Sequence, residues 1–76
     1  MMMTIETNKM VSKVIGNVEL VLQEQIQYNA NGEQVDFYDG SSIWYRVQKL
    51  INGIPAGVKT FGPNYEKAYN YLKKVS

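Results

Sequence analysis

The side chains that could do chemistry in this sequence are carboxylates, amines and hydroxyls, because cysteine and histidine are both absent. A thiolate nucleophile, an imidazole base and a zinc site of the usual Cys/His make-up are thereby excluded. What remains for an enzyme is Asp36, Asp39 and Glu24, with Ser41 and Ser42 close behind the second aspartate. Such a set could hold a metal or move a proton, as a hydrolase or transferase would need. Asp39-Gly40-Ser41-Ser42 is equally the composition of an ordinary turn. Glu24, on the apolar parity of its strand, equally marks where that strand leaves the core or meets Lys13 or Lys49. No Gly-rich phosphate loop, spaced carboxylate pair or metal-loop pattern accompanies them. The expectation is a non-enzymatic protein with no cofactor and no metal.

A second set of residues suits recognition. Trp44 is the single tryptophan, and Phe61, Tyr38 and Leu50 go with it, with Arg46 and Lys59 among them. Trp, Tyr and Arg are the usual anchors of protein interfaces. The same types can stack on bases and touch phosphates. These six residues are the candidate partner-binding site.

The elements that must position them can be read from periodicity. With 76 residues the chain makes one small domain, near the lower limit for a core without staples. Val18, Leu20, Leu22, Ile26 and Tyr28 share one parity while Glu19, Gln23, Gln25 and Gln27 take the other, as in a half-buried strand. Asn31-Gly32 predicts a two-residue type I′ turn. It would set Tyr28 opposite Val35 and Ile26 opposite Phe37, with a short strand over Val35 to Tyr38. After a break at Asp39 to Ser42, Ile43 to Ile51 reads as a strand rich in β-branched and aromatic residues. Asn52-Gly53 predicts a second type I′ turn, leading into a strand over Ile54 to Phe61. Paired without interruption, this hairpin puts Val47 with Val58 and Tyr45 with Thr60 on one face. Arg46 with Lys59, Trp44 with Phe61, and Leu50 with Pro55 then share the other. Pro55 has no N–H to give and belongs at an edge.

Behind Gly62-Pro63-Asn64, the residues Tyr65, Ala68, Tyr69 and Leu72 recur at helical spacing. Gly62 or Asn64 could cap the helix, and Glu66 early with Lys73 and Lys74 late suit its dipole. Before residue 18, Met10 and Val14 allow a helix, whereas a Gly16-Asn17 turn allows a strand. The strand is preferred, because Gly16 would weaken a helix. Residues 1–7 are expected to fray. The fold class is therefore α+β: an antiparallel β-meander of four to five strands with one C-terminal helix packed on one face, over residues 1–76 as a single domain. A helix of about eleven residues spans roughly 16 Å and covers one sheet face only. The other face, carrying Trp44, is closed by the N-terminal segment, binds a partner, or joins two copies into a homodimer.

A formal charge of +1 argues against coating nucleic acid by bulk electrostatics. The total hides an asymmetry. Residues 1–40 carry two lysines against six carboxylates, a net −4, and residues 41–76 carry six basic residues against Glu66 alone, a net +5. The halves either neutralise each other as neighbouring strands or leave a basic end for an acidic partner. Leu20-Val21-Leu22 is the longest aliphatic run, too short to cross a bilayer, and the opening Met-Met-Met-Thr-Ile-Glu lacks the features of a signal peptide. A cytoplasmic protein with no membrane partner is expected.

Trp44-x-Arg46-Val47, Asn52-Gly53, Thr60-Phe61 and Ala68-x-x-Tyr71-Leu72 resemble the hairpin-and-helix half of AP2-like DNA-binding domains and of the arm-binding domains of tyrosine recombinases, over residues 43–73. The resemblance implies a sheet in the major groove, with Trp44, Arg46, Gln48 and Lys59 at the DNA. The preceding strand departs from it, carrying glutamines and acids where those families have basic residues. Ile43-x-x-Arg46-Val47, Asn52-Gly53, Gly57 and Phe61 are also similar to a hairpin in small phage anti-CRISPR proteins directed at the type I-F surveillance complex. That likeness implies a compact, cofactor-free inhibitor in the cytoplasm of a host cell, occupying the surface of a host protein or nucleoprotein complex. DNA binding through the sheet is the alternative function, and a structural subunit dimerising through the open face is another.

Overall fold

Alternation over residues 18–28 produces the strand around which the rest is arranged. A computed structural model describes residues 3–74. In chain order it contains β1 (Thr4–Ile15), β2 (Val18–Tyr28), β3 (Gln34–Val35), β4 (Trp44–Ile51), β5 (Ile54–Gly62) and α1 (Tyr65–Lys74). The strands form one antiparallel sheet in the order β1-β2-β4-β5, and β3 pairs with β2 beyond the end of β4. This is the α+β meander with a C-terminal helix that the periodicity predicts.

The helix stripe and the even residues of β2 meet in the core. Leu20, Leu22, Val47, Ala68 and Leu72 are buried together, with Val11, Tyr45, Phe61 and Tyr71 packed around them. Asn64 caps α1: its Oδ1 accepts the Lys67 backbone N–H at 3.0 Å, satisfying a donor that the first turn leaves free. At the other end, Lys13 of β1 donates from Nζ to the carbonyls of Leu72 and Lys73 at 3.4 and 3.0 Å. A cation there also complements the helix dipole. The described residues measure 42 × 24 × 16 Å overall, whereas α1 is about 15 Å long. One end of the sheet is therefore two layers thick. At the other, Thr4–Asn8 paired with Glu24–Tyr28 contributes no buried residue.

Three local expectations are corrected. Thr4 to Thr7 do not fray; they pair with Gln25 to Tyr28, while residues 1 and 2 lie outside the described residues. The loop at Asn31-Gly32 is larger than two residues. Asn29 Oδ1 accepts the N–H groups of Asn31 and Glu33 at 2.9 and 3.0 Å, and this side-chain closure outcompetes a tight turn. Tyr28 therefore meets Gln34, and Gln27 meets Val35, one residue from the expected register. The strand ends at Val35, and Phe37 and Tyr38 leave the sheet.

The third correction decides which face two candidate site residues occupy. Asn52 and Gly53, at φ +54° and +80°, form the expected type I′ turn, and Leu50 pairs with Pro55 as expected. Ala56 is then an extra residue: Lys49 pairs with Gly57, Val47 with Lys59 and Arg46 with Thr60. The β-bulge follows from its neighbours, since Pro55 cannot donate to the ladder and Gly57 takes a φ of +147° that side chains disfavour. It also brings Phe61 beneath the helix, against Tyr71 (ring centroids 5.3 Å apart), where a second register shift leaves Phe61 itself an extra residue between Thr60, paired with Arg46, and Gly62, paired with Tyr45. An unbroken ladder would have put Thr60 there. Lys59 and Phe61 therefore face α1, and not the side of Trp44 and Arg46.

Candidate binding face

The sheet face turned away from α1 is built by the odd residues of β2 and the even residues of β4. Trp44, Arg46, Gln48 and Leu50 follow one another along β4, opposite Gln25, Gln23, Val21 and Glu19. An amide belt runs across the middle. Arg46 donates from Nε to Gln23 Oε1 at 2.7 Å, and Gln23 donates from Nε2 to Gln48 Oε1 at 3.2 Å. Gln25 donates to the Thr7 hydroxyl at 3.4 Å, and Lys9 forms an ion pair with Glu19 at 3.8 Å. Towards the turn ends of the strands apolar residues alternate with polar ones: Leu50 and exposed Val14 lie on either side of Glu19, and the buried Val21 and exposed Val58 on either side of Gln48.

Aromatic rings gather at the opposite end. Trp44 stacks on Phe37 at a centroid distance of 4.9 Å and meets Tyr38 edge-on at 5.5 Å. Trp44 is half-buried and lies outside the core cluster, while Tyr38 is 93% exposed. The loop between β3 and β4 holds the rings in place. Phe37 N–H donates to the Ser41 carbonyl and Gly40 N–H to the Phe37 carbonyl, both at 2.8 Å. Asp39 Oδ1 accepts the Ser41 N–H at 3.0 Å and the Trp44 indole N–H at 3.2 Å. The Ser41 backbone N–H is the main reason that the Asp39 carboxyl lies below its ordinary range. Slight desolvation opposes this, and the Ser41 hydroxyl and the indole N–H support it. Asp39-Gly40-Ser41 therefore acts as an indole-positioning turn.

Of the six residues singled out from the sequence, Trp44, Arg46 and Leu50 share this face and Tyr38 stands at its rim. Phe61 and Lys59 are on the other side, where Lys59 Nζ lies 4.9 Å from the Tyr71 ring centre and 5.8 Å from that of Phe61. Phe37 is not one of the six: the sequence sets it in a strand opposite Ile26, whereas the strand ends at Val35 and the loop carries its ring to Trp44. Gln48 lies on this face with Trp44 and Arg46, and the polar parity of β2 is the signal that puts Gln23 there too. Glu24 is on the helix side of the sheet and accepts a hydrogen bond from Asn8 Nδ2 at 3.4 Å. It is not brought together with Asp39. Among the described residues, no group of three or more carboxylates is placed to hold a metal ion. No helix among them is long and apolar enough to cross a membrane.

Comparison with protein families, curated proteins and solved structures returns no match.

Proposed function

We propose that the protein is a non-enzymatic binding module whose open sheet face docks on a protein surface, alone or within a nucleoprotein complex, in the manner of a small phage-encoded inhibitor. The observation that carries this reading is the Phe37–Trp44–Tyr38 cluster beside Arg46. Aromatic rings already ordered by stacking and by Asp39 lose little conformational freedom on binding, which favours affinity. Arg46 is held at Nε by Gln23, so its planar fork is oriented for a carboxylate or carbonyl of the partner. With Lys59 on the other side, the cations of this face among the described residues are Arg46 and Lys9, and Lys9 is paired with Glu19. That balance favours a protein surface over a phosphate backbone here.

The test uses the wild-type chain with Trp44→Ala and Arg46→Ala, each checked for an unchanged far-UV circular dichroism spectrum. The three are immobilised and presented with purified type I-F surveillance complex and, separately, with bacterial lysate. A specific component retained by the wild type, and at least about 30-fold more weakly by Trp44→Ala, supports the reading. Equal retention by all three chains, or by none, overturns it.

A further inference from the structure

The excess positive charge of residues 41–76 collects at a place the open face does not use. Two hollows lie on the helix side of β5. One, of about 150 Å³, is lined by Lys49, Lys59 and Gly57. The other, of about 300 Å³, is lined by Lys67, Lys74 and Phe61. Tyr71 is a wall of both, so four lysines from β4, β5 and α1 surround one ring. Among the described residues no carboxylate side chain lines either hollow, and Glu66, the single acidic side chain of residues 41–76, is not part of them. Lys67 and Lys74 are two turns apart on one side of α1, about 10 Å along its axis. The Ala56 bulge completes the cluster by turning Lys59 towards α1.

We infer that this groove between α1 and β5 is a binding site for the phosphate backbone of a nucleic acid. Two features favour that ligand over an acidic protein segment. All four cations are lysines, mobile point charges that follow a chain of phosphates; carboxylates are more often clamped by the planar fork of arginine. The Tyr71 and Phe61 rings are already approached by the Lys59 ammonium. They bring a cation to the ligand instead of a free face for a base to stack on, so the contact reads the backbone and not the sequence. The site is independent of the open-face reading and lies on the opposite side of the sheet. A chain with both could touch the protein and the nucleic acid of one complex.

The test is fluorescence anisotropy of a labelled duplex of arbitrary sequence, titrated with the full chain at ~50 and ~200 mM salt. Four lysines engaged with phosphates give a log–log salt slope of about −3.6, or roughly 100-fold weaker binding at the higher salt. Lys67→Ala/Lys74→Ala, on exposed helix positions that alanine suits, should reduce the slope by about half. Arg46→Ala should leave it unchanged. The inference is overturned by no saturable binding at low salt, by an unaltered slope in the double variant, or by tighter binding of labelled poly-glutamate than of the duplex. Loss with Arg46→Ala but not with the double variant would also overturn it, placing the nucleic acid on the open face.

Discussion

Replacing Phe61 by alanine tests the face assignment on which both proposed binding surfaces depend. In the bulged register Phe61 packs against Tyr71 at the edge of the core. In an unbroken hairpin it would stand beside Trp44 on the open face. Truncating a fully buried Phe costs about 3–5 kcal/mol, so a half-buried one should cost about 2–3 kcal/mol. A chain of 76 residues has a total stability on the order of 4–11 kcal/mol. Phe61→Ala should therefore remain folded at room temperature but melt roughly 10–20 °C lower. Urea unfolding followed by far-UV circular dichroism measures the loss, and Trp44 emission in the native state supplies a second readout. Phe61 is on the other side of the sheet from Trp44, so the native emission should not move. Phe37→Ala, which removes the stacked ring, should shift it to the red. If Phe61→Ala costs less than about 0.5 kcal/mol and alters the Trp44 emission, the bulged register is wrong and the assignment of both faces fails with it.

Two further outcomes follow from local features. Because the Asp39 carboxyl titrates below its ordinary value of 3.8 in the folded chain, its stabilisation of the loop is complete above that value and is lost as pH falls through the lowered one. Acidification should release the indole and shift Trp44 emission, and Asp39→Asn should remove that step; an identical acid transition in the variant would refute the assignment. Deleting Ala56 should remove the register shift between Leu50 and Lys49 while keeping Lys59 and Phe61 towards α1, leaving stability within about 1 kcal/mol of the parent. A loss above about 2 kcal/mol in urea unfolding would show that the bulge does more than set register.

Features fixed by a few neighbouring residues were legible in the sequence. The helix stripe, a cap at Gly62 or Asn64 and the Asn52-Gly53 turn depend on local geometry, and the parity of β2 follows from its own alternation. Ala56 and the Asn29 loop were not legible, because each arises from competition. Asn29 closes a wider loop than Asn31-Gly32 alone would make, and the bulge depends on whether Phe61 or Thr60 goes under a helix that begins residues later. The charge asymmetry was visible too, but not its placement. The two halves do become neighbours through β2 and β4, yet Arg46 meets Gln23, Leu20 meets Lys49 and Glu19 meets Leu50. Cross-strand neutralisation is therefore not how the pairing arranges these charges. Within the candidate site, Trp44, Arg46 and Leu50 were found by parity. Phe37 was missed because only the folded loop brings its ring to the indole.

The mismatch between a short helix and a long sheet divides the molecule mechanically. Where Leu20, Leu22 and Val47 lie beneath α1, two packed layers resist bending. The ribbon of Thr4–Asn8 with Glu24–Tyr28 is a single layer, which can twist and flex while its backbone hydrogen bonds persist. Trp44 pairs with Gln25 at the junction of the two. A partner docking on the aromatic cluster as proposed would thus grip a stiff body at the point where a compliant arm begins, and the arm could follow the contour of that partner without disturbing the core.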